Sequence, residues 1–199
     1  MIDIDRPIIA LPKSTSSTCD DLTTWIYSLF LNEDSPYYKE DHKHLRSAHI
    51  GFLWSNVPNK KQNKIVLGTA EIFSPKGDAW QKARQHQQII SWFNRIPDFI
   101  ITLYAPILMS IDLPSFCAVI DHELYHCGQK RGHFSEPLFD RKTGKPKYCI
   151  IGHSFEEFTG VIRSWGLGAV SPEISEAFEY AKQGAEFDLA QLANYCGCK

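Results

Sequence analysis

No stretch of the 199-residue chain is apolar for long enough to approach a membrane span. The first residues, Met1-Ile2-Asp3-Ile4-Asp5, contain no basic leader followed by an apolar run, so no secretory signal is read and a cytoplasmic location is expected. Cysteine is scarce, six residues in all, too few for a disulfide scaffold of this length. Cys117 and Cys127 fall on an apolar helical face, where free thiols behave as small hydrophobes, and Cys196-Gly-Cys198 reads as a frayed tail rather than a metal or redox pair. Charge of one sign is lacking too: a formal net charge of −2 gives no electrostatic reason to expect nucleic acid or an anionic membrane. The two local basic runs, Lys60, Lys61, Lys64 and Arg141, Lys142, Lys145, Lys147, sit among turn-forming residues and read as solvated loops.

What is present is an ordinary globular composition, 43% apolar and 22% charged. Neither an internal repeat nor a linker is visible, so residues 1–199 read as one domain with a sizeable core. Residues 1–17 form an extended arm in this reading, with Pro7, Pro12 and a Ser/Thr cluster opposing regular structure. Leu22, Trp25, Ile26, Leu29 and Phe30 keep helical spacing up to a break at Pro36, and a short charged helical piece runs to about Ser47. Residues 48–55, 64–73 and 98–105 read as three strands, with a helix over 79–94 between the last two. After Gly128 a hairpin or long loop returns the chain, Gly152-His153-Ser154 opens a helix ended by Gly166 and Gly168, and residues 171–199 form C-terminal helices. The fold class is therefore α+β, a small sheet of about three strands packed on a central helix.

That helix carries the chemistry. Asp112 can cap it, Pro114 suits its first turn, Gly128 supplies a stop, and Leu113, Phe116, Cys117, Ile120, Leu124 and Cys127 follow one apolar face. On another face lie His122 and His126, four residues apart and so stacked about one turn apart, in the pattern His-Glu-x-x-His. A tetrahedral zinc ion (Zn2+) can take both imidazoles and leave room for a third ligand and a water. Glu123 is then placed as general base, accepting a proton from that water and returning it to a leaving group.

Two histidines do not complete such a site. His153 is the first candidate for third ligand, at a helix start that favours the neutral imidazole, with Glu156 or Glu157 able to orient it. His133 is an alternative, although Gly128 and His133 each miss the metzincin spacing by one residue. A carboxylate ligand from Glu156 or Glu157 is a third option. Tyr104, Tyr125 and Arg163 are candidates for stabilising an oxyanion, and residues 98–105 for a sheet edge that holds an extended peptide. His42, His44, His49 and His86 lack comparable context and read as structural or surface residues.

HELYH followed by GHSFEEF resembles the SprT-like metallopeptidases, and the order FIITLY, IDHELYH, GHSFEEF resembles phage-encoded metallopeptidases. The resemblance covers about residues 48–166. It implies a zincin-like α+β domain with His122, His126 and His153 on zinc, Glu123 as base, and a protein or peptide as substrate. The four-cysteine ribbon and basic tail of some SprT-like proteins are missing here, and no DNA-linked role is carried over. Two rival functions remain: a metal-stabilised module that binds a host or DNA-associated protein without turnover, and zinc-dependent hydrolysis of a non-peptide amide.

Overall fold

The computed structural model describes residues 9–10, 22–154, 159–165, 172–184 and 187. In chain order they form β1 (Ile9–Ala10), α1 (Leu22–Ile26) running into a π-helical turn (Tyr27–Leu31), and a 3-10 helix (Glu40–Ser47). Next come β2 (Ile50–Ser55), a small hairpin of β3 (Lys60–Lys61) and β4 (Lys64–Ile65), β5 (Gly68–Glu71) and α2 (Ala79–Phe93). Then follow β6 (Phe99–Tyr104), α3 (Ala105–Leu108), α4 (Leu113–His126), β7 (Cys127–Gln129), β8 (Tyr148–Ile150), α5 (Thr159–Trp165) and α6 (Pro172–Gln183). Among the described residues no helix is long and apolar enough to cross a membrane.

The main sheet has the order β1-β2-β6-β5, with β2 and β6 parallel and both outer pairings antiparallel. A parallel pair needs a long crossover, and α2 lies within the one that joins β2 to β6. Strand periodicity then separates two layers. Phe52, Trp54, Phe99, Ile101 and Leu103 belong to the larger cluster with Ile26, Ile120 and Leu124, whereas Leu53 and Ile100 meet Ile89 of α2. Phe116 stacks between Trp25 and Trp54 at centroid distances of 6.0 and 6.2 Å, which ties α1, α4 and β2 into one aromatic layer.

Several expectations need correction. The sheet has four strands rather than three, because Ile9–Ala10 from the N-terminal segment pairs with Trp54 and Ser55. The run 64–73 is two strands: β4 turns back on β3, and only from Gly68 does the chain join β6. That makes β5 the edge and places β6 inside, opposite to the edge role expected for residues 98–105. Local apolarity could not reveal this, since strand order is set by pairings distant in sequence. Gly128 does not stop α4, which passes directly into β7 at Cys127 (φ −81, ψ 87). The lack of a side chain at Gly128 serves packing instead, because a Cβ there would lie 2.2 Å from the Ile151 side chain.

The start of α4 is as its sequence implies, with the Asp112 carboxylate accepting from the Ser115 N–H at 2.7 Å and Pro114 in the first turn. Ile120 and Leu124 are fully buried one turn apart against the sheet. Leu124→Ala is expected to cost about 2–5 kcal/mol of unfolding free energy, and Asp112→Ala about 1 kcal/mol. Urea unfolding measures both, and a Leu124→Ala loss no larger than that of Asp112→Ala would show that α4 is not docked as described.

Candidate metal centre

The geometry follows from how the chain leaves α4. His126 is the last residue of the helix, and Cys127–Gln129 continue as a strand paired in the register Cys127↔Ile150, Gly128↔Cys149, Gln129↔Tyr148. The ladder extends one step beyond, where Ile151 N–H donates to the His126 carbonyl at 2.9 Å. The Ile151 carbonyl in turn accepts from His126 Nδ1 at 2.6 Å. A carbonyl can only accept, so the proton sits on Nδ1 and the lone pair of Nε2 is presented outward. Two residues past Ile151, in the irregular segment that follows β8, is His153.

The three Nε2 atoms converge. His122 Nε2 lies 3.2 Å from that of His126 and 3.2 Å from that of His153, and the ligand atoms of all three fall within 4.8 Å of one another. Zinc–nitrogen bonds of 2.0–2.1 Å at tetrahedral angles put neighbouring nitrogens about 3.3 Å apart. Burial, together with the neighbouring His126 and His153 rings, holds His122 below the usual histidine range, which favours the neutral form a metal requires. The group is therefore capable of binding a metal ion. Cys127, next in sequence, is kept out of it: its buried thiol lies against the Glu123 carbonyl at 3.4 Å, and burial, then the nearby Glu123 charge, push its pKa far up.

Glu123 projects from the same helix toward the edge strand rather than into bulk water. It is 3% exposed, its Oε2 has no hydrogen-bond partner among the described residues, and the N–H of Ala70 in β5 is directed at the carboxylate. Gly68 makes this placement possible, since a Cβ there would stand 2.7 Å from Glu123 Oε1. Burial raises the Glu123 pKa, while the neighbouring His126 ring and the Ala70 N–H oppose the rise without cancelling it.

His133 is exposed on a turn of the β7–β8 hairpin, its ring against Phe134 at 5.0 Å, and is not part of the cluster. His153 itself lies in an irregular segment after β8, and the helix expected to open there falls on residues 155–158, which lie outside the described residues; α5 is described from Thr159. Glu156 and Glu157 lie outside the described residues, as do Gly166, Gly168, Cys196 and Cys198. Among the oxyanion candidates, Tyr125 lines the cleft of about 530 Å³ that holds the three histidines, with its hydroxyl donating to Asp41 at 3.1 Å. Tyr104 lines a separate crevice beside β5, and Arg163 is exposed on α5.

Two supports were not visible in the sequence. Asp121 receives Lys39 Nζ at 2.6 Å and His42 Nε2 at 2.8 Å, which fastens α4 to the 3-10 helix beside His122. Burial raises the Asp121 pKa, but the His42 and Lys39 hydrogen bonds outweigh it and the group stays ionised below the usual range. His44 Nε2 donates to the Cys127 carbonyl at 2.7 Å, and burial lowers the pKa of that ring. These partners are about 80 residues apart in the chain, so no local spacing signals them. The other missed element, the Ile151 carbonyl, belongs to the backbone and leaves no mark on residue identity.

The Glu123 environment gives a pH expectation with a definite sign. Its folded pKa lies above its unfolded one, so the metal-free fold binds the extra proton between the two values and loses that stabilisation as pH rises through the folded value. A carbon-13 titration of the metal-free protein should find Glu123 titrating above about 4.3. The Glu123→Gln protein should melt no lower than wild type at neutral pH. A midpoint at or below the ordinary value contradicts the buried placement.

The family described as "putative phage metallopeptidase" matches residues 23–182 of the chain. No curated protein and no solved structure matches it significantly. The match spans most of the chain and includes every residue of the histidine cluster, and the chain belongs to that family.

Proposed function

We propose that the protein is a zinc-dependent peptidase of zincin type, in which His122, His126 and His153 hold the metal and Glu123 is the general base. The observation that carries this reading is the pairing of three convergent Nε2 atoms with a buried carboxylate whose Oε2 has no partner among the described residues. A structural zinc would call for four protein ligands and would have no use for such a carboxylate. Zinc bound at these three nitrogens acidifies a water and polarises a carbonyl.

The chain's own residues supply the rest. His126 is oriented by the Ile151 carbonyl, and His122 is steadied by its helix and the Asp121 network behind it. Glu123 takes the proton of the attacking water and returns it to the leaving amine, a task suited to a carboxylate whose pKa burial raises above its ordinary value. The substrate backbone fits the outer edge of β5. Tyr104 N–H donates to Leu67 O at 2.8 Å, so in this register Leu67, Thr69 and Glu71 bond to β6 while Gly68 and Ala70 turn their backbone groups outward, beside Glu123. A larger cleft of about 890 Å³ shares Tyr125 and Ile151 with the histidine cleft and offers room for substrate side chains.

Elemental analysis after dialysis against a weak chelator should find about one zinc per chain. His126→Ala and His153→Ala should lose it, and His133→Ala should keep it. Glu123→Gln is expected to retain zinc and lose peptide hydrolysis. Gly68→Ala should also retain zinc but lower turnover by about 100-fold, because its Cβ displaces the base. Retention of zinc by His153→Ala, or wild-type turnover in Glu123→Gln, would contradict the assignment.

A further inference from the structure

The β3–β4 hairpin is an unusual place for three lysines. Lys60, Lys61 and Lys64 are all exposed, and the register sets Lys61 directly opposite Lys64. Like charges facing each other across a strand pair are destabilising. The two-residue turn between them is formed by Gln62 and Asn63, both at positive φ (52 and 61), a conformation that costs a glutamine more than an asparagine or glycine. Residues 42–70 contain no Asp or Glu, and none of the three lysines forms an ion pair among the described residues. The hairpin therefore retains a repulsion that the fold does not need.

Its position supplies a reason. Val66 N–H donates to Asn59 O at 2.9 Å, closing the hairpin, and the next residue, Leu67, already pairs with Tyr104 of β6. The hairpin is thus joined to edge strand β5 through only Val66 and Leu67. Lys64 is four residues from Gly68, which lies against Glu123, a span of about 13 Å for extended chain. A peptide lying along β5 with its scissile bond near Glu123 passes the lysines some three to five residues away.

We propose that Lys60, Lys61 and Lys64 form a contact for acidic side chains of the bound peptide, and that they set a preference for Asp or Glu at those positions on one side of the scissile bond. This rests on the peptidase reading and its edge-strand substrate. A peptide is favoured over a nucleic acid because the charge is confined to the hairpin and lies in line with a sheet edge, which pairs with extended polypeptide.

The test uses the full-length, zinc-loaded Glu123→Gln protein, in which binding is measured without turnover. Labelled peptides carry an Asp-Asp pair moved stepwise along an alanine-based sequence, and fluorescence anisotropy gives the affinities. A block of positions to one side should bind about fivefold tighter than the parent, with the gain lost at high salt. Replacing the lysines together (Lys60→Gln, Lys61→Gln, Lys64→Gln) should remove the preference, and the single Lys61→Glu, at an exposed position, should weaken it on its own. No favoured position, or a preference that survives the triple replacement, overturns the proposal. A duplex oligonucleotide that binds through the same lysines more tightly than the best acidic peptide also overturns it, in favour of a phosphate-backbone site. A lysine-dependent acidic preference in a protein whose wild type cleaves none of these peptides leaves the contact standing and removes the peptidase reading. Cleavage without acidic preference does the reverse.

Discussion

The paired hydrogen bonds between His126 and Ile151 are the constraint on which the site depends. One joins main chain to main chain at 2.9 Å, and the other joins the imidazole Nδ1 to the Ile151 carbonyl at 2.6 Å. Together they fix the tautomer of His126 and the register of the returning strand. That register places His153 two residues on, against the pair from α4. A hairpin of 18 residues between β7 and β8 would otherwise leave the third imidazole unplaced, because register in a short ladder is only as firm as the bonds at its ends. Ile151 also fills the space beside Gly128 that any larger residue would take, so packing supports the same register.

Around this constraint the chain divides the work between two sides of α4. The side toward the 3-10 helix is polar and ionic, with Lys39 and His42 on Asp121, Tyr125 on Asp41, and His44 on the Cys127 carbonyl. The side toward the sheet is apolar except for Glu123, which Ile120 and Leu124 carry down onto the edge strand. A buried carboxylate with an unpartnered oxygen costs stability unless a ligand or a reaction uses it. Its position beside outward-facing backbone groups of β5 and beside convergent imidazoles links that cost to catalysis in the proposed reading.

Features with a local physical signal were legible in the sequence. The limits of α4 could be read from Asp112, Pro114 and the spacing of its apolar residues, and the i, i+4 spacing placed His122 and His126 on one face. Gly128 was misread because a glycine after a helix usually signals a left-handed stop, whereas here it admits the Ile151 side chain. Strand order was not legible. The apolar richness of Phe99–Tyr104 marks a strand buried on both faces, and the edge went instead to the plainer Gly68–Glu71, whose glycine makes room for the Glu123 side chain. Neither the Ile151 carbonyl nor the Asp121 partners could have been found by motif, since one is backbone and the others come from a helix far away in sequence.

The central claim is a metal held by three imidazoles, with Cys127 and Cys149 excluded although both lie on the hairpin beside the site. X-ray absorption at the zinc edge of the zinc-loaded protein tests it most directly. The account predicts a shell of nitrogen and oxygen at about 2.0–2.1 Å, with the outer-shell scattering of three imidazole rings. A sulfur contribution at about 2.3 Å, or scattering from only two imidazoles, would contradict it.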